Sequence, residues 1–308
     1  MAKRRSKGRD VHGILLLDKP QGLTSNQVLQ KVKRLFDARK AGHTGSLDPL
    51  ATGMLPICFG EATKISSFLL NADKRYIAVC KLGQRTDSAD ADGNILTTRS
   101  VEGISEPQVR EILQQFVGEQ QQVPPMHSAI KQDGVPLYKL AHQGIEVERE
   151  ARSITVYQLE LIKFEKDILE LDISCSKGTY VRTLADDIGE ALGCGAHIAA
   201  LRRLQVGVFD GAEMHTLDEL NTLKEQGVTA LDQTLLPVDS GLNDWADVQL
   251  TSDSTFYIRQ GQAVFVPQLK TEGYVRLYDP SHEFIGIGMV LEDGRVAPKR
   301  LMNLAKIG

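Results

Sequence analysis

Between Gly42 and Gly53 the chain reads Gly-His-Thr-Gly-Ser-Leu-Asp-Pro-Leu-Ala-Thr-Gly, and no regular helix or strand accommodates such a run. Three glycines open backbone angles closed to other residues, while Pro49 lacks a backbone donor and fixes its own φ. Pro49 also pushes Asp48 toward an extended backbone, because its ring clashes with a helical predecessor. The segment is therefore predicted to be a constrained loop that holds one carboxylate in a set place. That carboxylate suits a nucleophile, a metal ligand or a general base. As a purely structural group it would close an Asx-turn on nearby backbone N–H groups.

Around this loop the periodicity alternates between strand and helix. Gly13–Leu17 is a short apolar run closed by Asp18-Lys19-Pro20, a buried strand ending in a turn. Thr24 or Ser25 caps a predicted helix through Phe36, with Val28, Leu29, Val32 and Leu35 on one face. After the loop, Met54–Phe59 is apolar and Glu61–Leu70 reads as a helix. In the β-forming stretch 73–82, Tyr76, Ala78, Cys80 and Leu82 share one strand face. By itself a strand tyrosine there packs in the core; at the strand's start it also suits a cleft.

The polar stretch 83–93 invites comparison with a calcium loop, but with Gly93 at the sixth position the twelfth is Arg99, where glutamate is needed. It is predicted to be an ordered polar loop bordering the cleft. A helix is expected from Ser105 to a stop at Gly118, and residues 127–152 form a polar excursion with a short helical pattern. Two strands follow, Ile154–Phe164 and Ile168–Cys175, then a strand-to-helix junction and a helix Val181–Leu192 ending at Gly193. Leu201–Gly207 is read as a strand whose arginines, Arg202 and Arg203, are available to phosphates. Thr216 caps another helix through Lys224. Beyond a boundary at 241–247 the chain changes to short strands with turns, a small β-rich unit.

Charge is distributed unevenly. Residues 1–40 carry eleven Lys/Arg against three acids, whereas the remainder carries 25 against 37. A basic end on an acidic body favours a polyanion partner approached from one side. The 308 residues, 42% hydrophobic and 25% charged, have a globular composition. Cys58, Cys80, Cys175 and Cys194 are scattered without metal-type spacing, as reduced cysteines of a cytosolic protein would be. No apolar run approaches the ~20 residues that cross a bilayer, and the basic N-terminus lacks a signal peptide's apolar stretch. The expectation is a cytoplasmic monomer.

Three co-ordered strings carry a specific resemblance: GHTGSLDPLATGMLPICFGEATK (42–64), DKRYIAVCKLGQRTDSADADG (73–93) and CSKGTYVRTLADDIGEALG (175–193). They resemble the pseudouridine synthases of the TruB type, which isomerise the uridine at position 55 in the TΨC loop of tRNA. The likeness runs from Gly13 to about Gly207. It implies an α+β fold: a mixed, mainly antiparallel sheet flanked by helices, plus a small C-terminal domain similar to the PUA RNA-binding fold. The implied organisation is a basic tail (1–12), a catalytic domain (13–245) with an RNA-clamping insertion (127–152), and a PUA-like domain (246–308).

The resemblance also implies roles. Asp48 matches the catalytic aspartate, Tyr76 the tyrosine that packs on the uracil and removes the C5 proton, and Arg182 the arginine paired with the aspartate. Tyr180 and Leu201 match residues lining the uridine pocket, and His43 one that holds the flipped-out nucleotide. Lys19, Pro20, Gly42 and Gly45 match supporting positions. The isomerisation breaks N1–C1′ and joins C5 to C1′ with no net loss of atoms or electrons, so it demands no cofactor or metal. The target must be extruded from its stack to be reached. Whether Asp48 attacks C1′, attacks C6 or abstracts a sugar proton stays open at this level. A binding module that refolds tRNA without chemistry shares the tail, insertion and C-terminal domain, and differs in not needing Asp48.

Overall fold

The computed structural model describes residues 8–141, 143–210, 213–267, 269 and 271–303. Lys3, Arg4, Arg5 and Lys7 of the basic tail lie outside the described residues, as does His142 in the insertion.

Strand β1 (Gly13–Lys19) shows why an unbroken apolar run becomes a strand with two buried faces. Ile14 and Leu16 enter one core, while Leu15 and Leu17 enter another on the opposite side. Helix α1 (Ser25–Leu35) starts at a capping box between Thr24 and Gln27 and buries Val28, Leu29 and Val32 on the second of these cores. Short β2 (Ala41–His43) leads into the glycine loop, and β3 (Thr52–Phe59) leaves it antiparallel to β1. The expected helix over 61–70 is instead a 3₁₀ turn, Gly60–Lys64, followed by α2 (Ser66–Leu70). The Thr63 hydroxyl donates to the Gly60 carbonyl and the Ser66 hydroxyl to that of Thr63, local bonds that compete with a continuous helical ladder.

β4 (Lys74–Leu82) buries alternate residues, with Tyr76, Ala78, Cys80 and Leu82 in the largest core. The polar stretch after it is a hairpin, β5 (Gln84–Thr86) with β6 (Ile95–Thr98). Helix α3 (Glu106–Gln115) follows, then β7 (Gly118–Gln122). The sequence Gly-Glu-Gln-Gln-Gln gives β7 no apolar signal; it exists because it pairs with the outer strand of the sheet. Within the insertion lie the small hairpin β8 (Lys131–Gln132) and β9 (Val135–Pro136) and one turn of helix, α4 (Leu137–Ala141). β10 (Arg152–Glu165), β11 (Ile168–Cys175), α5 (Val181–Ala191) and β12 (Ala196–Val206) complete the layer, and α6 (Leu217–Gln226) and α7 (Val228–Asp232) cover β1 and α1.

The resulting sheet runs β1-β3-β12-β4-β11-β10-β7, with β2 beside β3. Every neighbouring pair is antiparallel except β3 with β12. That single parallel contact brings the exit of the glycine loop against β12, where Gly53 faces Arg203. A second sheet, β13 (Asp247–Gln249), β14 (Val264–Phe265), β15 (Tyr274–Tyr278), β16 (Phe284–Val290) and β17 (Arg295–Leu301), is ordered β13-β15-β16-β17-β14. With α8 (Ser252–Arg259) it encloses its own apolar core. Its other side joins Tyr278, Phe284 and Ile287 to Ile14 and Met54 of the first sheet and Leu69 of α2. Among the described residues no helix is long and apolar enough to cross a membrane.

Candidate active site

The glycine loop is tied down from three directions. Below it, Lys19 at the end of β1 is fully buried, and its Nζ donates to the carbonyls of Pro20 (2.9 Å), Ala51 (2.6 Å) and Pro49 (3.4 Å). Burial pulls the Lys19 ammonium down to about 8, with Asp48 opposing the shift. The Gly22 N–H reaches the Pro49 carbonyl at 2.8 Å, so the turn after Lys19-Pro20 supports the loop as well. From α1, the Ser25 hydroxyl donates to the Leu47 carbonyl (3.0 Å) and accepts from the Leu47 N–H (2.8 Å). From β12, Arg203 donates through Nε to the Met54 carbonyl (2.7 Å) and through Nη2 to that of Gly45 (3.1 Å). Gly45 has φ +84° and Gly53 φ +95°; at Gly53 a Cβ would fall 2.2 Å from the Arg203 carbonyl oxygen. Gly42 has an ordinary φ and open space where a Cβ would stand.

At the crest of this loop Asp48 meets Arg182, Oδ2 to Nε at 2.8 Å. The carboxylate's partner is thus a distant guanidinium, and the turn itself is closed by main chain, the Ala51 N–H on the Asp48 carbonyl at 3.1 Å. The Asp48 side chain keeps 44% of its surface open, whereas that of Arg182 keeps 6%. One partner is reachable by a substrate and the other is fixed. Arg182 sits in the first turn of α5, whose start is clamped by Gln122 of β7: the Tyr180 N–H donates to Oε1 (2.8 Å) and Nε2 donates to the Tyr180 carbonyl (3.1 Å). Its Nη1 donates to the Ser88 carbonyl (2.7 Å) and its Nη2 to that of His127 (2.8 Å), with the Asp90 carboxylate 3.6 Å from Nη1.

The pairing expected from the sequence is present, but its effect on Asp48 is not the simple lowering that an arginine alone would cause. Burial pushes the Asp48 carboxyl above its ordinary value; Arg182 offsets part of the rise, and Asp90 adds to it.

Tyr76 lies on β4 directly across from Arg203 of β12, 8% exposed, in the same core as Leu47, Leu50 and Leu201. Burial raises its phenol, Arg203 opposing both as a nearby charge and as a hydrogen-bond partner, and Asp48 is close enough to act on it. Leu201, also 8% exposed, is apolar wall. Half-buried Tyr180 is raised by burial. Half-buried His43, at the loop's entry, is pulled toward its neutral form by burial and then by Arg203, and its Nδ1 has no hydrogen-bond partner among the described residues. The structure therefore brings Lys19, Pro20, Gly45 and Asp48 into one assembly with Arg182, and sets Tyr76 across the strands from the arginine that braces that loop.

One expectation is corrected. Neither Arg202 nor Arg203 is free for phosphates: Arg202 forks onto Asp18 (2.7 and 3.0 Å), and Arg203 is 1% exposed beneath the loop. Adjacent residues on a strand face opposite ways, so one of the pair had to point inward. Ser25, Asp90 and Gln122 also hold the site, roles that the sequence does not show. Ser25 is visible in the sequence only as a helix cap and Asp90 only as part of the polar stretch 83–93, while Gln122 carries no signal. Among the described residues no group of three or more His, Cys, Asp or Glu side chains is placed to hold a metal ion.

Residues 33–181 match the family described as "TruB family pseudouridylate synthase (N terminal domain)", 182–243 the "tRNA pseudouridylate synthase B C-terminal domain", and 246–302 "Pseudouridine synthase II TruB, C-terminal". The chain is 55% identical over 300 residues to the tRNA pseudouridine synthase B of Nitrosococcus oceani, covering 97% of each protein. To that of Yersinia pestis it is 55% identical over 310 residues, covering 98% of this chain and 95% of the relative. Among solved structures, a chain of a Cbf5-Nop10-Gar1 complex superposes with a TM-score of 0.73 at 26% identity, over 95% of this chain and 84% of the other.

Proposed function

The chain belongs to the TruB family of pseudouridylate synthases, and from that premise we propose that it isomerises uridine-55 in the TΨC loop of tRNA to pseudouridine. Its relatives are named for tRNA as the substrate, and the basic end of the chain suits such a polyanion. In this reading the nucleotide is flipped out of its stack and the uracil is received between Tyr76, Tyr180 and Leu201, with His43 at the entrance. Asp48 acts as the nucleophile, Arg182 holds it ionised and oriented, and Tyr76 takes the C5 proton. Apolar walls keep water from a cleaved sugar intermediate. The insertion 127–152, whose first carbonyl is bound by Arg182, clamps the RNA arm. The catalytic domain (13–245), assisted by the tail (1–12), does the chemistry, and the PUA-like domain (246–308) adds RNA contacts. The protein works as a cytoplasmic monomer.

The observation that carries this reading is the Asp48–Arg182 pair: an open carboxylate on a closed guanidinium, beside a buried tyrosine. A structural ion pair has no need of that asymmetry; a nucleophile does. The test is tritium release from C5 of the uridines in a labelled tRNA transcript. The wild type is expected to release about one equivalent, and none from a transcript with cytidine at position 55. Asp48→Asn is expected to lose at least about 10⁴-fold in rate while still binding the transcript. A protein that binds but releases nothing would be a refolding module, not a catalyst.

A further inference from the structure

We infer that Arg203 is a positioning residue for the proton-abstraction step: held by the Met54 and Gly45 carbonyls, it braces the Tyr76 phenol and lends its buried positive charge to the phenolate. This rests on the reading of Tyr76 as the base. Arg203 is the largest fully buried side chain among the described residues. It donates to the backbone carbonyls of Met54 and Gly45, and among the described residues no carboxylate pairs with it. A buried guanidinium without a counter-ion is expensive to keep. Its charge is consequently unspent, and the groups around it register that: it contributes to pulling Lys19, His43 and Lys74 toward their neutral forms. Tyr76 is the neighbour it holds in the opposite sense, toward the anion.

Topology gives the arrangement its point. Position 203 of β12 lies between Tyr76 on β4 and Gly53 on β3, so one side chain ties the strand bearing the base to the loop bearing the acid. When the C5–H bond of the rearranged uracil breaks, the proton passes to the Tyr76 oxygen. The bonding pair closes the C5–C6 double bond, and N1, until then double-bonded to C6, takes up a proton. The phenolate is the species that must be available, and a fixed cation beside it favours that form.

The test is the pH dependence of single-turnover tritium release. In Arg203→Gln the rate is expected to fall at least tenfold at pH 7 and its alkaline rise to move to higher pH. Placing 3-fluorotyrosine at position 76, a more acidic phenol, is expected to restore most of the loss in that variant. Arg202→Gln, on the opposite strand face, is expected to keep the wild-type profile. A loss equal at every pH and untouched by fluorotyrosine would overturn the proposal, because a merely structural brace moves no titration. Should Arg203→Gln not fold, Arg203→Lys keeps a charge; its alkaline rise should stay where the wild type has it, and a displaced rise would overturn the proposal. Full activity in Tyr76→Phe would instead remove Tyr76 as the base, a failure distinct from that of Arg203.

Discussion

Two arginines are buried in this site, 5% and 1% exposed, and they are handled in opposite ways. At the start of α5, Arg182 meets two carboxylates, Asp48 and Asp90, and two carbonyls. On β12, Arg203 meets two carbonyls and lies across from a phenol. The first charge is consumed by its partners and serves as a clamp with fixed directions, which a planar guanidinium does well. The second is left over and sets the electrostatic level of its surroundings. One site thus separates geometry from charge, assigning each to a different element of the sheet-and-helix frame.

The largest effect that would sharpen this contrast comes from Arg182→Met. It leaves Asp48 without its clamp and Asp90 buried without its partner, and the tritium-release rate is expected to fall about 10²–10³-fold. The sign of the pH effect follows from the causes of the Asp48 shift. Burial already raises this carboxyl and Arg182 offsets part of the rise, so removing Arg182 raises it further. A nucleophilic Asp48 must be ionised, so the acid-side loss of rate should begin at higher pH than in the wild type. Arg182→Lys should move that limb back toward the wild-type position yet leave the rate low, because an ammonium has the charge without the fork. An unmoved acid limb in Arg182→Met would break the comparison, since Arg182 would then be a brace whose charge does not matter.

How much of this could be read from the chain differs between the two arginines for a physical reason. Arg182 lies in a string with Gly178 and Tyr180 at the start of a helical pattern, so its place at a strand-to-helix junction was legible, and the family resemblance implied its pairing with Asp48. Arg203 sits in a strand with a register shift directly after it, and nothing local in the sequence distinguishes an inward arginine from an outward one; only the strand period shows that the adjacent Arg202 and Arg203 cannot share a fate. The fold was legible where an apolar run is unbroken, as in β1, or where one face is apolar, as in α1, β4 and β11. It was not legible in β7, whose polar residues are made a strand by pairing with β10, nor at 60–70, where hydroxyl-to-carbonyl bonds divide the expected helix. The contribution of Asp90 was hidden because its role depends on a helix some ninety residues downstream.

A smaller effect tests whether the Arg203 side of the site is as rigid as its unpaired charge requires. Gly53 faces Arg203 through the parallel contact of β3 with β12 and has φ +95°, and an added Cβ would lie 2.2 Å from the Arg203 carbonyl oxygen. Both backbone angle and space forbid a side chain there, so Gly53→Ala is expected to cost roughly 2–4 kcal/mol in urea unfolding, if the two strands cannot part. Gly42 lies in β2 at the entry to the loop, paired with Cys58 of β3. Its φ is ordinary and nothing stands within 4 Å of an added Cβ, so Gly42→Ala is expected to stay within about 0.5 kcal/mol of the wild type and to release tritium at a similar rate. If the two glycines proved equally sensitive, the loop would owe its shape to glycine content as such. Unequal sensitivity would place the constraint at the β3–β12 contact, where the backbone of the residue that carries the uncompensated charge presses against the chain leaving Asp48.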